Sequence, residues 1–429
     1  MRFRIVHVRV IALLAMATAC TASGQGVTLK EGDGLRWFKG NTHTHSLWSD
    51  GDAPPEVALE WYKSHGYDFL CMSEHNTLMI GDQWRYVAPD MKLTPDHLQA
   101  IKDTFGADWV VTKEEDGRLQ MKLKTFDELQ ARFDEPGKFL SIQAEEITSA
   151  TPSVHVNGVN VGEPIKPRIG GEPVTALIYN ISAVEDQGKR LGRKVLAHIN
   201  HPNWGEGLTA EDIIASGAER FFEVYNGHGG VRNWGDSSLN KVSTDRLWDI
   251  VLAIRLSAQK ERPLYGVGTD DAHNYYKRGP GGSIPGRGWC MVLSPELSAE
   301  ALIEAMHKGH FYASSGVVVD EISWTQSEFR VQMKSEPGVT YTTQFIGTMK
   351  GVDTNGELVA GEDGKSDRNT KKYSDAIGKV LLETTENPAV YPVTGNELYV
   401  RVKIVSSKLK SDPFKEGDVE MAWVQPIVP

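Results

Sequence analysis

The chain has 429 residues, of which 40% are hydrophobic and 24% charged, and its mean hydropathy is −0.35. This is the composition of a soluble globular protein with room for roughly two or three domains, and it excludes wholesale disorder, collagen-like repetition and a polytopic membrane protein. Asp and Glu total 57 against 46 Lys and Arg, and the resulting net charge of −11 argues against a basic surface that grips nucleic acid.

Arg2, Arg4 and Arg9 flank the start of an apolar run at 10–17, and small residues follow it through Ser23. That order reads as a secretory signal peptide over residues 1–24, because the apolar part is too short to span a bilayer. The small residues before Cys20 resemble a bacterial lipoprotein processing site, although Ala17 stands where leucine is usual. The expected location is therefore periplasmic or lipid-anchored at the cell envelope, with Cys20 as the membrane attachment. Cys71 and Cys290 sit in apolar runs and read as buried strand thiols, not as a disulfide framework.

Residues 35–318 alternate short apolar runs with amphipathic segments. Pro54 and Pro55 open a predicted helix through Lys63, with Gly66 beyond its end, and the run 67–72 then predicts a strand. The same order recurs at 174–190 then 194–199, and at 243–256 then 264–268. Such repetition predicts an α/β domain with a largely parallel sheet or barrel. An insertion at about 78–138 interrupts it, with a hairpin turning at Asp116-Gly117 and a helix capping box at Thr125 and Glu128. A lid or a substrate wall is the role expected of that insertion. Over 320–429 the pattern changes to period-two alternation, as in 329–333 and 398–405, and predicts a C-terminal β-sandwich-like domain.

His43-Thr44-His45 follows the first strand candidate of the α/β region. On a strand, residues i and i+2 face one side, so two imidazoles can chelate one cation. Next come Ser49-Asp50-Gly51, Glu74-His75-Asn76, Glu145-Glu146-Ile147-Thr148, His155-Val156-Asn157-Gly158, Asn200-His201-Pro202-Asn203 and Asp270-Asp271-Ala272-His273. Each cluster terminates an apolar run, and in parallel α/β architectures such loops converge on the active site. Six His, one Glu and two Asp gathered there can hold several divalent transition metals.

This ordered set, HTHSxxSDG, EHN, EEIT, HVNG, NHPN and TDDAH, resembles the PHP family, named for polymerase and histidinol phosphatase domains, over residues 37–318. The resemblance implies a distorted seven-stranded (β/α) barrel and three divalent metal ions, of zinc, manganese or iron. It places one ion on His43, His45, Glu146 and Asp271, a second on Glu146, His155 and His201, and a third on Asp50, His75 and His273. Glu145 beside Glu146 and Asp270 beside Asp271 leave a slip of one residue open at each position, and Asp50 reads alternatively as a turn residue. His198 reads as a core or supporting histidine. His228 is either a substrate contact or a loop residue, and Arg287 either grips an anionic oxygen bidentately or is a plain loop arginine. His65, His97, His307 and His310 lack ligand context.

Clustered divalent metals acidify bound water and neutralise charge that builds on substrate oxygens. The expected activity is hydrolysis of a small-molecule or glycan-linked phosphate ester by metal-bound hydroxide. His228 or His198 would protonate the leaving alkoxide, and Arg287 would hold the phosphoryl group. Cleavage of a carbamate, amide or carboxylic ester on the same metals is the alternative. A surface-binding protein without turnover is a third reading, in which the C-terminal domain alone would bind envelope polymer.

Overall fold

The computed structural model describes residues 26–205, 207–217, 220–259, 262–279, 281–359 and 368–429; the expected signal segment and Cys20 lie outside the described residues. Among the described residues there are seven α-helices and a sheet of thirteen strands. No helix there is long and apolar enough to cross a membrane.

Local signals account for many of the elements. Helix Pro55–Ser64 begins at the proline pair, and Gly66 beyond its end takes φ +72°. It leads into strand Phe69–His75, whose first six residues are all buried, as expected of a strand covered on both faces. Two parallel blocks carry the sheet's functional edge: Arg36–Asn41, Phe69–His75 and Leu140–Ser149 form one, and Leu196–Ile199, Phe221–Asn226 and Tyr265–Thr269 the other. Strand Val154–Val159 runs antiparallel between them. Its first residues therefore lie on the same edge as the last residues of its neighbours, and His155 reaches that edge from the start of a strand, not from its end.

The sheet curls around an interior filled by Phe38, Phe69, Ile142, Phe221, Val267 and Val292, together with Leu302 and Met306 of helix Ala299–His307. Helices Pro173–Leu191, Ala210–Ser216 and Thr244–Ile254 cover the other face at Val156, Ile199, Phe222 and Val224. The expected seven-stranded barrel does not close. Strand Tyr265–Thr269 ladders with Phe221–Asn226 alone, and the edge of Phe311–Ser314 that would meet it is paired with Val419–Ile427. The Gln425 side chain substitutes for the missing rung: it accepts from Gly266 N–H at 2.9 Å and donates to Gly266 carbonyl at 2.8 Å. The two sides still come close at Gly268, where a Cβ would lie 3.0 Å from the Trp289 carbonyl oxygen and 3.2 Å from Ala313 Cβ.

Beyond residue 318 the regular elements among the described residues are all β-strands. Val27–Lys30, Val319–Trp324, Glu328–Met333 and Ala389–Pro392 form a four-stranded sheet. Its Leu29, Ile322, Phe329 and Val331 pack against Phe345, Val400, Val402 and Val424 of the large sheet. A buried ionic contact ties this part to helix Thr244–Ile254: Arg401 donates to Asp249 through Nε at 2.8 Å and Nη2 at 2.7 Å, and Nη1 lies 3.0 Å from Asp245.

In the insertion, Thr112–Glu115 and Arg118–Lys122 form the expected hairpin, and Thr125 and Glu128 make a reciprocal capping box. The insertion does not line the candidate cleft. Trp48 Nε1 donates to the Lys124 carbonyl at 2.8 Å and Arg85 Nε to the Leu47 carbonyl at 2.7 Å, so it buttresses the loop that carries Asp50. Cys71 and Cys290 are free, buried thiols, and burial pushes Cys290 up to about 12.

Candidate metal centre

His43 and His45 leave the end of Arg36–Asn41 in a backbone fixed by Asn41. Its side-chain oxygen accepts from His43 N–H at 3.2 Å and its amide donates to the His43 carbonyl at 3.1 Å. Glu74 organises the loop that follows, accepting from the Ser46 hydroxyl and amide and from the Ser49 hydroxyl and amide. In consequence the buried acid of Glu74-His75-Asn76 shapes the loop, and His75 is the residue presented to the cleft.

The nine residues His43, His45, Asp50, His75, Glu146, His155, His201, Asp271 and His273 come together at this edge in four overlapping groups of donor atoms. His43 Nε2 lies 3.1 Å from His45 Nε2, 3.5 Å from Glu146 Oε1 and 3.3 Å from Asp271 Oδ1. His45 Nε2 lies 3.3 Å from both Glu146 Oε2 and Asp271 Oδ1. Two ligands on one cation at bond lengths near 2.0–2.2 Å stand roughly 2.8–3.6 Å apart, so these groups could hold a common ion. His155 Nδ1 and His201 Nε2 also approach Glu146 Oε1, the oxygen nearest His43, at 2.9 Å and 3.3 Å. On the outer side, Asp50 Oδ1 meets His273 Nε2 at 3.1 Å and His75 Nε2 at 3.6 Å.

The donor chemistry fits cations. Glu146 Oε2 is buried and makes no hydrogen bond of acceptable geometry, although His75 Nδ1 lies 2.8 Å away. Burial opposes ionisation of Glu146, but the imidazoles of His75, His43 and His155 outweigh it and hold the carboxyl well below its usual range. Asp271 behaves alike: burial is outweighed by His43, by the hydrogen bond from His45 and by His273. A cation there would displace the imidazole protons and take over their charge, and carboxylates and imidazoles pointed at common centres, most of them buried, suit divalent transition metals.

The structure also separates the adjacent acids. Glu145 and Glu146 lie on opposite faces of one strand; Glu145 accepts from Ile165 N–H at 2.7 Å, and burial raises it to about 7. Asp270 accepts from Arg287, Gly288 and Gly286 N–H and from the Tyr62 hydroxyl, away from the cleft. Glu146 and Asp271 are the pair that faces the histidines.

Two expected catalytic residues lie elsewhere. Arg287 is fully buried, and its guanidinium is consumed by carbonyls: Gly227 at 2.9 Å, Gly282 at 2.6 Å, Pro413 at 3.1 Å and Asp412 at 3.3 Å. It braces loops and has no free edge for an anion. His198 is fully buried behind His43, ring centroids 6.3 Å apart, and neither ring nitrogen makes a hydrogen bond of ordinary geometry, with only the Thr42 backbone nearby. Burial pushes it down to about 4, a neutral packing histidine out of reach of a leaving group. His228 does line the cleft, and its Nδ1 accepts from Gly230 N–H at 3.0 Å.

Glu223 escaped the sequence reading of the site. Its Oε1 accepts from His43 Nδ1 at 2.7 Å and from the Thr269 hydroxyl at 2.8 Å; Oε2 accepts from His201 N–H at 2.6 Å and from the Asn226 amide at 2.8 Å. This bond fixes the His43 proton on Nδ1 and frees Nε2 as a donor, the usual carboxylate–histidine support of a metal ligand. The available signal was a lone acid inside the apolar run of strand Phe221–Asn226, where burial demands partners. Asn200 likewise donates to Glu146 Oε1 at 2.8 Å.

The cleft has a volume of about 400 Å³, and Thr148, Ser153 and Trp204 line it beside the histidines and acids. No family model matches the chain, and no curated protein does. Among solved structures it is similar to the crystal structure of a two-domain protein from Bacteroides vulgatus ATCC 8482 containing a predicted PHP-like metal-dependent phosphoesterase. The identity is 15% over 92% of this chain and 96% of that one, with a TM-score of 0.40.

Proposed function

We propose that the chain is an exported, metal-dependent hydrolase of phosphate esters with a trinuclear centre. The reading places one divalent ion on His43, His45, Glu146 and Asp271, a second on Glu146, His155 and His201, and a third on Asp50, His75 and His273. The observation that carries it is the Glu146 carboxylate, with imidazole nitrogens at ligand-type separations from both oxygens and one oxygen lacking a hydrogen bond. Such ions acidify water to a nucleophile at neutral pH and offset charge on phosphoryl oxygens. The chain's own groups position the reaction. Glu223 holds His43 in the required tautomer, Asn200 holds Glu146, and the Thr148 and Ser153 hydroxyls stand in the cleft to orient substrate oxygens. His228, which burial lowers to about 4 and whose Nδ1 accepts from Gly230 N–H, is a neutral imidazole that donates a hydrogen bond from Nε2 to the leaving oxygen.

The test is phosphate release from a panel of mono- and diesters by metal-replete protein, with the doubly substituted His43→Ala, His45→Ala protein as control. Release by the wild type alone supports the reading; equal release by the control overturns it. The corrected place of Arg287 favours keeping hydrolysis of a carbonyl centre as a second reading, because no Lys or Arg stands among the described residues lining the cleft. Competition by inorganic phosphate separates the two, since a phosphoesterase site is inhibited by it. Export, with Cys20 as a site of lipid attachment, rests on the basic-then-apolar start of the sequence and is read from the mass and fractionation of the mature protein.

A further inference from the structure

The residues flanking the metal cluster include one large side chain with no part in holding it. Trp204 is 37% exposed, lines the cleft, and sets its indole against two proposed ligands, with ring centroids 5.2 Å from His155 and 5.5 Å from His201. Hydrogen bonds hold the backbone on either side of it. Trp204 N–H donates to the His201 carbonyl at 2.9 Å, Leu208 N–H to the Pro202 carbonyl at 2.7 Å, and the Asn203 amide to the Arg232 and Val242 carbonyls at 3.0 and 2.7 Å. Gly230 lies between the indole and His228: a Cβ there would stand 3.2 Å from His228 Cε1 and 3.4 Å from Trp204 Nε1. Its φ is not in the left-handed region, so the absence of a side chain leaves space, not conformational freedom, between the two rings.

A flat aromatic ring laid against an exposed indole buries its face and adds a stacking term beyond the area covered, which an aliphatic group of the same size does not. We infer that Trp204 is the specificity-determining residue of the site, and that it stacks on an aromatic ring borne by the substrate, so that aryl esters are preferred over alkyl esters of the same phosphoryl group. The inference rests on the phosphoester reading above. Cleavage stays a plain hydrolysis: water adds its oxygen to phosphorus, the bond from phosphorus to the aryl oxygen breaks, and the aryl alcohol leaves with one of the water's protons.

The experiment is calorimetric binding of phenylphosphonate, cyclohexylphosphonate and methylphosphonate to metal-loaded protein, with metal content measured on every variant. Wild type should bind the phenyl compound about 3- to 10-fold more tightly than the cyclohexyl one, the range of an aromatic stacking term. Trp204→Ala should abolish that preference while leaving methylphosphonate affinity and metal content within about twofold, and Trp204→Phe should restore most of it. Gly230→Val, on an exposed backbone position remote from the ligands' own bonds, should weaken the phenyl compound more than the methyl one. Equal binding of phenyl and cyclohexyl compounds, or equal weakening of all three in Trp204→Ala, overturns the inference and leaves the phosphoester reading intact. If no phosphonate binds the metal-loaded chain, the phosphoester reading falls and this inference with it.

Discussion

Glu223→Gln removes one negative charge and changes almost no volume, so its effect isolates the buried carboxylate. Burial opposes the charge on Glu223, but His43 outweighs it and holds the carboxyl below its usual range, so the wild-type group is ionised at neutral pH. Four donors point at it: His43 Nδ1, the Thr269 hydroxyl, His201 N–H and the Asn226 amide. Glutamine offers one acceptor oxygen. If that oxygen keeps His43 and Thr269, the new NH2 group faces His201 N–H and the Asn226 amide, and Asn226 cannot turn over without losing the bond its oxygen accepts from His228 N–H at 2.8 Å. Two buried donors left unsatisfied at about 1–3 kcal/mol each put the destabilisation of the metal-free protein at roughly 2–6 kcal/mol. His43 Nδ1–H would then donate to a neutral oxygen in place of a carboxylate, and the weaker support of that ring should lower metal affinity by about a further 10- to 100-fold, roughly the effect of changing such outer partners elsewhere. Thermal melting of the chelator-treated protein reads the first effect, and calorimetric metal titration the second. A Glu223→Gln protein that melts with the wild type and takes up metal with the same affinity would refute the assignment of Glu223 as the organiser of the site.

His201→Ala should lose about one metal equivalent per chain and nearly all turnover, whereas His198→Ala, which removes no hydrogen bond to a proposed ligand, should keep the full metal count and lose less than about 10-fold in rate; elemental analysis and turnover of both variants decide it. Glu56 is fully buried, and burial raises it to about 7, above an unfolded value near 4.3, so the unfolded chain gives up this proton first and stability falls as pH rises from about 4 to 7. Glu56→Gln should therefore gain melting temperature over wild type increasingly between pH 5 and 8, approaching on the order of 3 kcal/mol, and a gap that is flat with pH would show that Glu56 titrates normally. Arg401→Ala strands Asp249 without its partner and should destabilise the protein by about 3–5 kcal/mol in denaturant unfolding, with the metal content of the folded fraction unchanged.

What could be read from the residues alone was what depends on neighbours in sequence. Proline pairs and capping boxes act within one turn of a helix, and Asp116-Gly117 sets its hairpin through left-handed φ values of +52° and +72°. The convergence of the histidine and acid clusters was legible too, because strand ends on one edge of a sheet are close whatever the details. The failures are all long-range. Whether the sheet closes depends on which strand takes the edge of Phe311–Ser314, and the winner is more than a hundred residues away in sequence. Arg287 beside a metal motif looks like an anion grip until the carbonyls of Asp412 and Pro413 arrive from the C-terminal part. Adjacent acids such as Glu145 and Glu146 are indistinguishable by type; strand alternation says that they face apart, and only the partner on each face says which is which.

Three of the seven non-glycine residues that take positive φ among the described residues lie at the site. Asn76, His201 and Asp271, each just past a strand, take positive φ values of +52°, +21° and +50°. Non-glycine residues in that region carry on the order of 1–3 kcal/mol each and persist only where their surroundings over-determine them. Asn76 is held by reciprocal bonds with Thr148, and Asp271 by its N–H to the His43 carbonyl at 3.1 Å. Asparagine and aspartate tolerate the left-handed region; histidine does so less readily, and Pro202 further restricts the residue before it. The bond that secures His201 is its N–H to Glu223 Oε2 at 2.6 Å. Glu223 thus orients one proposed ligand through its ring and a second through its backbone, which couples the His43 and His201 positions. Removing that one carboxylate should disturb both together, although neither histidine has changed.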